Sequence, residues 1–104
     1  WAQRACTMLE KNLESPLDLE RVAEQLGMNY ETFRKKFVDI MGQPPGKYRA
    51  GRVIEQAARW MALQKLNDRQ IALRLGFCDE FHFSRRFKQM TGLSPREYRR
   101  RLPM

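Results

Sequence analysis

The sequence has no apolar run of about 18 residues, so it offers no candidate transmembrane helix. Charges interrupt its opening WAQRACTMLEKN where a signal peptide would need an apolar core. It holds only two cysteines, Cys6 and Cys78, too few for a disulfide framework, and free thiols in a reducing cytoplasm are expected. Its single histidine, His82, and two distant cysteines do not complete the four ligands of a metal site, and no cofactor is expected. Cys78 and His82 stand at i, i+4, but no third group completes a nucleophile–base arrangement, so the chain reads as no enzyme. With 104 residues there is room for one compact domain, or for two very small ones sharing a helix. The chain opens at Trp1, so further domains are expected elsewhere in the protein.

What the sequence has is positive charge and repetition. A net charge of +8 points to a polyanion, either nucleic acid or an anionic surface. Val22 to Arg49 reads VAEQLGMNYETFRKKFVDIMGQPPGKYR, and Ile71 to Arg99 reads IALRLGFCDEFHFSRRFKQMTGLSPREYR. Ala23 falls on Ala72, Leu26 on Leu75 and Gly27 on Gly76. After one inserted residue Phe33 falls on Phe83, Phe37 on Phe87, Gly42 on Gly92, Pro45 on Pro95, Tyr48 on Tyr98 and Arg49 on Arg99. One structural unit therefore occurs twice.

Each unit reads as short helix, glycine, second helix, glycine, proline, third helix. Asp18 caps a helix Leu19–Leu26 whose apolar residues Leu19, Val22, Ala23 and Leu26 recur at i, i+3, i+4, i+7. Gly27 stops it, and Asn29 caps the next, with Phe33, Phe37, Ile40 and Met41 as the inward stripe. In the second copy Asn67 and Gln70 form a capping box, Gly76 turns the chain and Asp79 caps again. Ser94-Pro95-Arg96-Glu97 is a further capping box with proline at the first helical position. Helix, tight glycine turn and helix make the helix-turn-helix pattern. Ala2–Leu13 reads as an opening helix. Pro45–Leu63 reads as one amphipathic linking helix with Tyr48, Val53, Ala57, Trp60 and Met61 as candidates for burial. The expected fold is all-α: a first helix-turn-helix subdomain over 1–43, a linking helix over 44–64 and a second subdomain over 65–104.

A linking helix of about 20 residues is roughly 30 Å long. Adjacent major-groove faces of B-DNA lie about 34 Å apart, so two second helices, about 29–41 and 80–91, are expected to enter successive major grooves. Because the copies differ, the site should be asymmetric. Setting the phenylalanines inward puts Lys35 and Arg85 almost opposite them, with Glu31 and Thr32 beside the first, and Phe81 and His82 beside the second. Arg34 and Ser84 stand on the flanks. Arg85 suits guanine O6 and N7, Glu31 or Glu80 can accept from cytosine N4, and Phe81 can meet a thymine methyl. Backbone amides near Asn29 and Asp79, at helix N-termini, suit phosphates. Gln25 and Arg74, late in each first helix, are candidates for the same task, together with Thr32, His82 and Lys88. A module that binds any duplex through phosphates alone is the rival reading, and glutamates on the outward faces weigh against it.

GFCDEFHFSRRFKQMTGLSPREYRR, residues 76 to 100, closely resembles the signature of AraC/XylS-type transcription regulators. LDLERVAEQLGMNYETFRKKFVDIMGQPPGKYR resembles the first helix-turn-helix of that family. The resemblance implies a seven-helix DNA-binding domain attached to an effector-sensing or dimerising domain. It also implies activation of transcription through contact with RNA polymerase as well as promoter DNA, in a bacterial cytoplasm and on the nucleoid. The family's base-reading residues fall on Glu31, Arg34 and Lys35, then on Glu80, Phe81, Ser84 and Arg85. Cys78 and Phe81 stand where the family usually has small polar residues, and Val53 where it usually has a basic one.

Overall fold

The computed structural model describes residues 1–103, which form seven α-helices and no strand. They are α1 (Ala2–Leu9), α2 (Leu19–Gln25), α3 (Tyr30–Met41), α4 (Pro45–Arg59), α5 (Asp68–Leu75), α6 (Glu80–Thr91) and α7 (Pro95–Arg101). α4 runs on into a π-helical turn, Trp60–Gln64. The chain divides into two compact units, Trp1–Arg52 and Val53–Met104. The boundary falls inside α4, so the linking helix is no separate piece: its first half belongs to one unit and its second half to the other.

In the first unit, the Asp18 carboxylate accepts from the amides of Glu20 and Arg21 and starts α2. Leu26 ends the helix, and Gly27 takes φ +80°, a backbone that a side chain would strain. The insertion between the repeats lies in this turn. One residue, Met28, separates Gly27 from the cap Asn29, whereas Phe77 and Cys78 separate Gly76 from the cap Asp79. α3 is held by Phe33 and Phe37, both fully buried among Ala5, Leu9, Val22 and Ala23. The Phe37 ring meets that of Tyr48 from α4 edge-on, with centroids 5.6 Å apart.

The second unit repeats this plan. Phe83 and Phe87 are fully buried beside Ile71 and Ala72 of α5, and Tyr98 of α7 meets Phe87 at 5.5 Å. Ile54, Ala57, Trp60 and Met61 close this core. Burying one such phenylalanine contributes about 1.5–3 kcal/mol, so each pair dominates its small core. Both capping boxes form, Asn67 with Gln70 and Ser94 with Glu97.

Three expectations need correction. α1 ends at Leu9 rather than Leu13, because the next segment turns away through Asn12 at φ +47°. The Arg49 guanidinium holds that segment by donating to the carbonyls of Leu9, Lys11, Asn12 and Ser15 at 2.6–2.8 Å. Within α4, Ile54 is buried where Val53 was expected and Val53 is half-buried. Finally, Ile40 is 51% exposed, since the Phe33–Phe37 stripe continues at four-residue spacing to Met41, which packs on the cluster, and leaves Ile40 beside it.

Candidate nucleic-acid interface

The two second helices, α3 and α6, have 12 residues each. Each begins at a side-chain cap. The Thr32 amide donates to Asn29 Oδ1 at 2.8 Å, and the His82 amide donates to Asp79 Oδ1 at 2.7 Å. The Asn29 and Asp79 side chains are thus engaged with their own helices. Of the four amides that an α-helix leaves unpaired, counted from the cap residue, those caps take the fourth and leave three, the second and third of which lie within the helix. In α3 these belong to Tyr30 and Glu31, in α6 to Glu80 and Phe81, and such amides favour phosphate.

Because the phenylalanine pairs are buried, the opposite face of each helix is fixed outward. Lys35 and Arg85 lie there, both exposed. On α3, Glu31 and Arg34 are also exposed, and Glu31 Oε1 lies 3.4 Å from Lys35 Nζ. The neighbouring Lys36 ammonium turns away, 4.5 Å over the Trp1 ring. On α6, Glu80 is exposed, Ser84 is half-buried, and Phe81 keeps 65% of its surface. Phe81 lines a shallow hollow with Leu73 of α5 and Cys78. Arg85 and Lys88 line one patch of α6 together with Gln89.

The remaining phosphate candidates are more varied. Gln25 and Thr32 are exposed, and the Gln25 carbonyl accepts from Arg4 at 3.5 Å. The Arg74 guanidinium lies 5.4 Å over the Trp60 ring, which fixes its stem while the residue stays exposed. His82 packs edge-on against Phe77 at 5.2 Å, a contact that orients its ring.

Sequence reasoning passed over the clamps behind these helices. Arg49 and Arg99 occupy equivalent positions, and both point back to the chain that enters their unit. Arg99 donates to the Leu66 carbonyl at 3.0 Å and to the Asp68 carboxylate at the start of α5. It is therefore part of the scaffold and not of a loose basic tail. Burial lowers the pKa of Arg49 from the usual guanidinium value. Burial first, then hydrogen bonds to Cys6 and Glu10, push the Tyr48 hydroxyl far above its ordinary value, and it donates to Glu10 Oε1 at 3.0 Å. The repeat itself was the available signal, since a Tyr-Arg pair recurs at the same place in both copies.

Cys6 and Cys78 are both free thiols. Among the described residues no group of three or more His, Cys, Asp or Glu is placed to hold a metal ion, and no helix is long and apolar enough to cross a membrane.

Known proteins share this arrangement. A model of the helix-turn-helix domain family matches residues 22–101. The chain is 36% identical to YkgA of Escherichia coli K12 over 99 residues, 95% of this chain and 41% of that protein. It is 34% identical over 91 residues to AarP of Providencia stuartii, an HTH-type transcriptional activator, covering 88% of this chain and 67% of that one. The crystal structure of a transcriptional regulator from Chromobacterium violaceum, described by its AraC-type DNA-binding domain, superposes with a TM-score of 0.86 at 26% identity. That match covers 95% of this chain and 88% of the other. The chain thus spans less than half of YkgA and about two thirds of AarP. With its duplicated unit, its two capped and phenylalanine-anchored second helices and these matches, the chain belongs to the AraC-type helix-turn-helix domain family.

Proposed function

We propose that this domain binds double-stranded DNA sequence-specifically, as the DNA-reading part of a bacterial transcription regulator. The carrying observation is a repeated one: each unit buries a phenylalanine pair and turns a basic side chain to the opposite, exposed face of a capped helix. A 12-residue helix is about 18 Å long and fits a major groove about 12 Å wide. In this reading Glu31, Arg34 and Lys35 of α3 meet base edges in one block of the site. Glu80, Phe81, Ser84 and Arg85 of α6 meet those in another. Gln25, Thr32, Arg74, His82 and Lys88 touch phosphates, and Asn29 and Asp79 contribute by capping the helices whose free amides do so.

The full-length regulator joins this domain to an effector-sensing or dimerising domain. It activates transcription in the cytoplasm by bringing RNA polymerase to nucleoid DNA, a role supported by the activator AarP. The test is selection of bound duplexes from a random pool at about 0.15 M salt, with sequencing of the bound fraction. Recovery of an asymmetric motif in two unlike blocks is expected. A bound pool as random as the starting one would replace this reading with that of a non-specific module.

A further inference from the structure

The repeat provides an internal control, because corresponding residues of α3 and α6 have the same backbone and the same buried anchors. Judged this way, the position one turn before the outward basic residue differs in the charge it presents. Glu31 of α3 corresponds to Phe81 of α6, each one helical turn before the outward basic residue. In α3 the carboxylate lies 3.4 Å from Lys35 Nζ, although both side chains are more than two-thirds exposed. In α6 Phe81 turns to Leu73 and Cys78, and among the described residues Arg85 has no ion-pair partner.

A carboxylate on a surface that faces a polyanion repels every phosphate it approaches, whatever the sequence. Glu31 therefore weakens binding to DNA in general. It also pairs with Lys35, the cation of α3 most directly opposite the buried phenylalanines, and leaves the exposed Arg34 beside it. An exposed pair of this kind is worth little by itself, so it exchanges readily for better partners. The partners it fits are set by geometry. Glu31 and Lys35 present an acceptor and a donor one helical turn apart, which matches a base edge carrying an amino donor beside an acceptor. In the major groove the amino donors are cytosine N4 and adenine N6, and the strongest acceptors are guanine O6 and N7.

We propose that Glu31 is a specificity-determining residue that works by exclusion. It competes for Lys35 in the free protein and repels phosphate on every sequence. It releases Lys35 only where a base amino group takes the carboxylate and guanine or a phosphate takes the ammonium. The two units then read in different ways: on α6 Arg85 meets the DNA with no carboxylate one turn before it, whereas on α3 Glu31 adds a penalty for wrong sequences. The inference rests on α3 being a reading helix, as proposed above.

The experiment combines random-duplex selection with titration of an unselected duplex, for the unaltered domain and for Glu31→Ala, Glu31→Asp, Lys35→Ala and Arg34→Ala. Glu31→Ala, which removes both the charge and the acceptor, should bind the unselected duplex several-fold more tightly and lose its preference for an amino-donor base at one position of one block. Glu31→Asp, which keeps the charge, should keep the weak binding to unselected DNA. Tighter binding by Glu31→Ala to all sequences with the motif intact would overturn the proposal, leaving Glu31 as mere repulsion. So would an unchanged affinity and motif. If Lys35→Ala and Arg34→Ala also left the motif intact, α3 would not read DNA at all, and the failure would belong to the proposed function itself.

Discussion

The two units are most alike in their buried residues and differ most on the outward faces of their helices. Ala23 and Ala72, Phe33 and Phe83, Phe37 and Phe87, and Pro45 and Pro95 are identical pairs, and all eight residues are buried. Outward, Glu31 stands against Phe81, Arg34 against Ser84 and Glu24 against Leu73, which is 82% exposed. Lys35 and Arg85, and beside them Lys36 and Arg86, keep a common charge. A close-packed core penalises a change of even one methylene, whereas an outward position is constrained by what it meets and not by its neighbours. The difference between the copies is thus a map of where they were free to acquire different partners.

The clamps make the same point from the inside. Arg49 and Arg99 are the same residue in the same place, yet Arg49 gathers four carbonyls and Arg99 one carbonyl and a carboxylate. Arg49 faces the loop after α1, where the Asn12 carbonyl also accepts from the Ser15 amide, and Arg99 faces the N-terminus of α5.

Several substitutions would break or sharpen this comparison. The largest effect is expected at the anchors: Phe33→Ala and Phe83→Ala should each cost about 3–5 kcal/mol in denaturant unfolding. A cost below about 1 kcal/mol at either would show that the copies are not held alike. Arg49→Ala should cost on the order of 2 kcal/mol and more than Arg99→Ala, since it leaves more carbonyls without their donor. Equal losses would mean that water replaces the guanidinium in both. Arg85→Ala should relax base preference at one position by about 1–3 kcal/mol, and Lys35→Ala by less, because Glu31 already competes for the lysine. Uniform weakening across all base variants would recast Arg85 as a phosphate contact. Arg74→Ala should leave base preference unchanged and flatten the salt dependence by a slope of about one.

The smallest effect is expected at α7. The hydroxyl and amide of Ser94 hold the Glu97 carboxyl below the usual carboxylate range. A depressed folded-state value means that the box contributes fully above the ordinary carboxylate pKa and is lost as pH falls through the lowered one. Acid unfolding of the unaltered domain should therefore show a small pH-dependent loss that Glu97→Gln lacks.

Most of the local structure was legible in the sequence because its signals are local. Asp18, Asn29, Asn67, Asp79 and Ser94 all cap the helices they precede, and Gly27, Gly42, Gly76 and Gly92 all take left-handed backbone. What escaped depends on partners far along the chain or on small differences of phase. Arg49 bonds residues 34 to 40 positions away, and nothing near Leu9 announces that the helix stops there. Val53 and Ile54 both fit helical spacing with Ala57 and Met61, so periodicity could not choose between them. The π-helical turn at Trp60–Gln64 carries no residue signature of its own. For the interface, the outward faces followed from the buried phenylalanines. The Glu31–Lys35 pair needed side-chain geometry, as did the turn of Phe81 toward Leu73.

The central claim is that outward residues on two otherwise equivalent helices determine what each unit reads. It is tested most directly by giving α3 the outward residues of α6, through Glu31→Phe, Arg34→Ser and Lys35→Arg together, and repeating the random-duplex selection. The account predicts that one block of the recovered motif changes to resemble the other, which itself stays as it was. A motif with both blocks unchanged would contradict it.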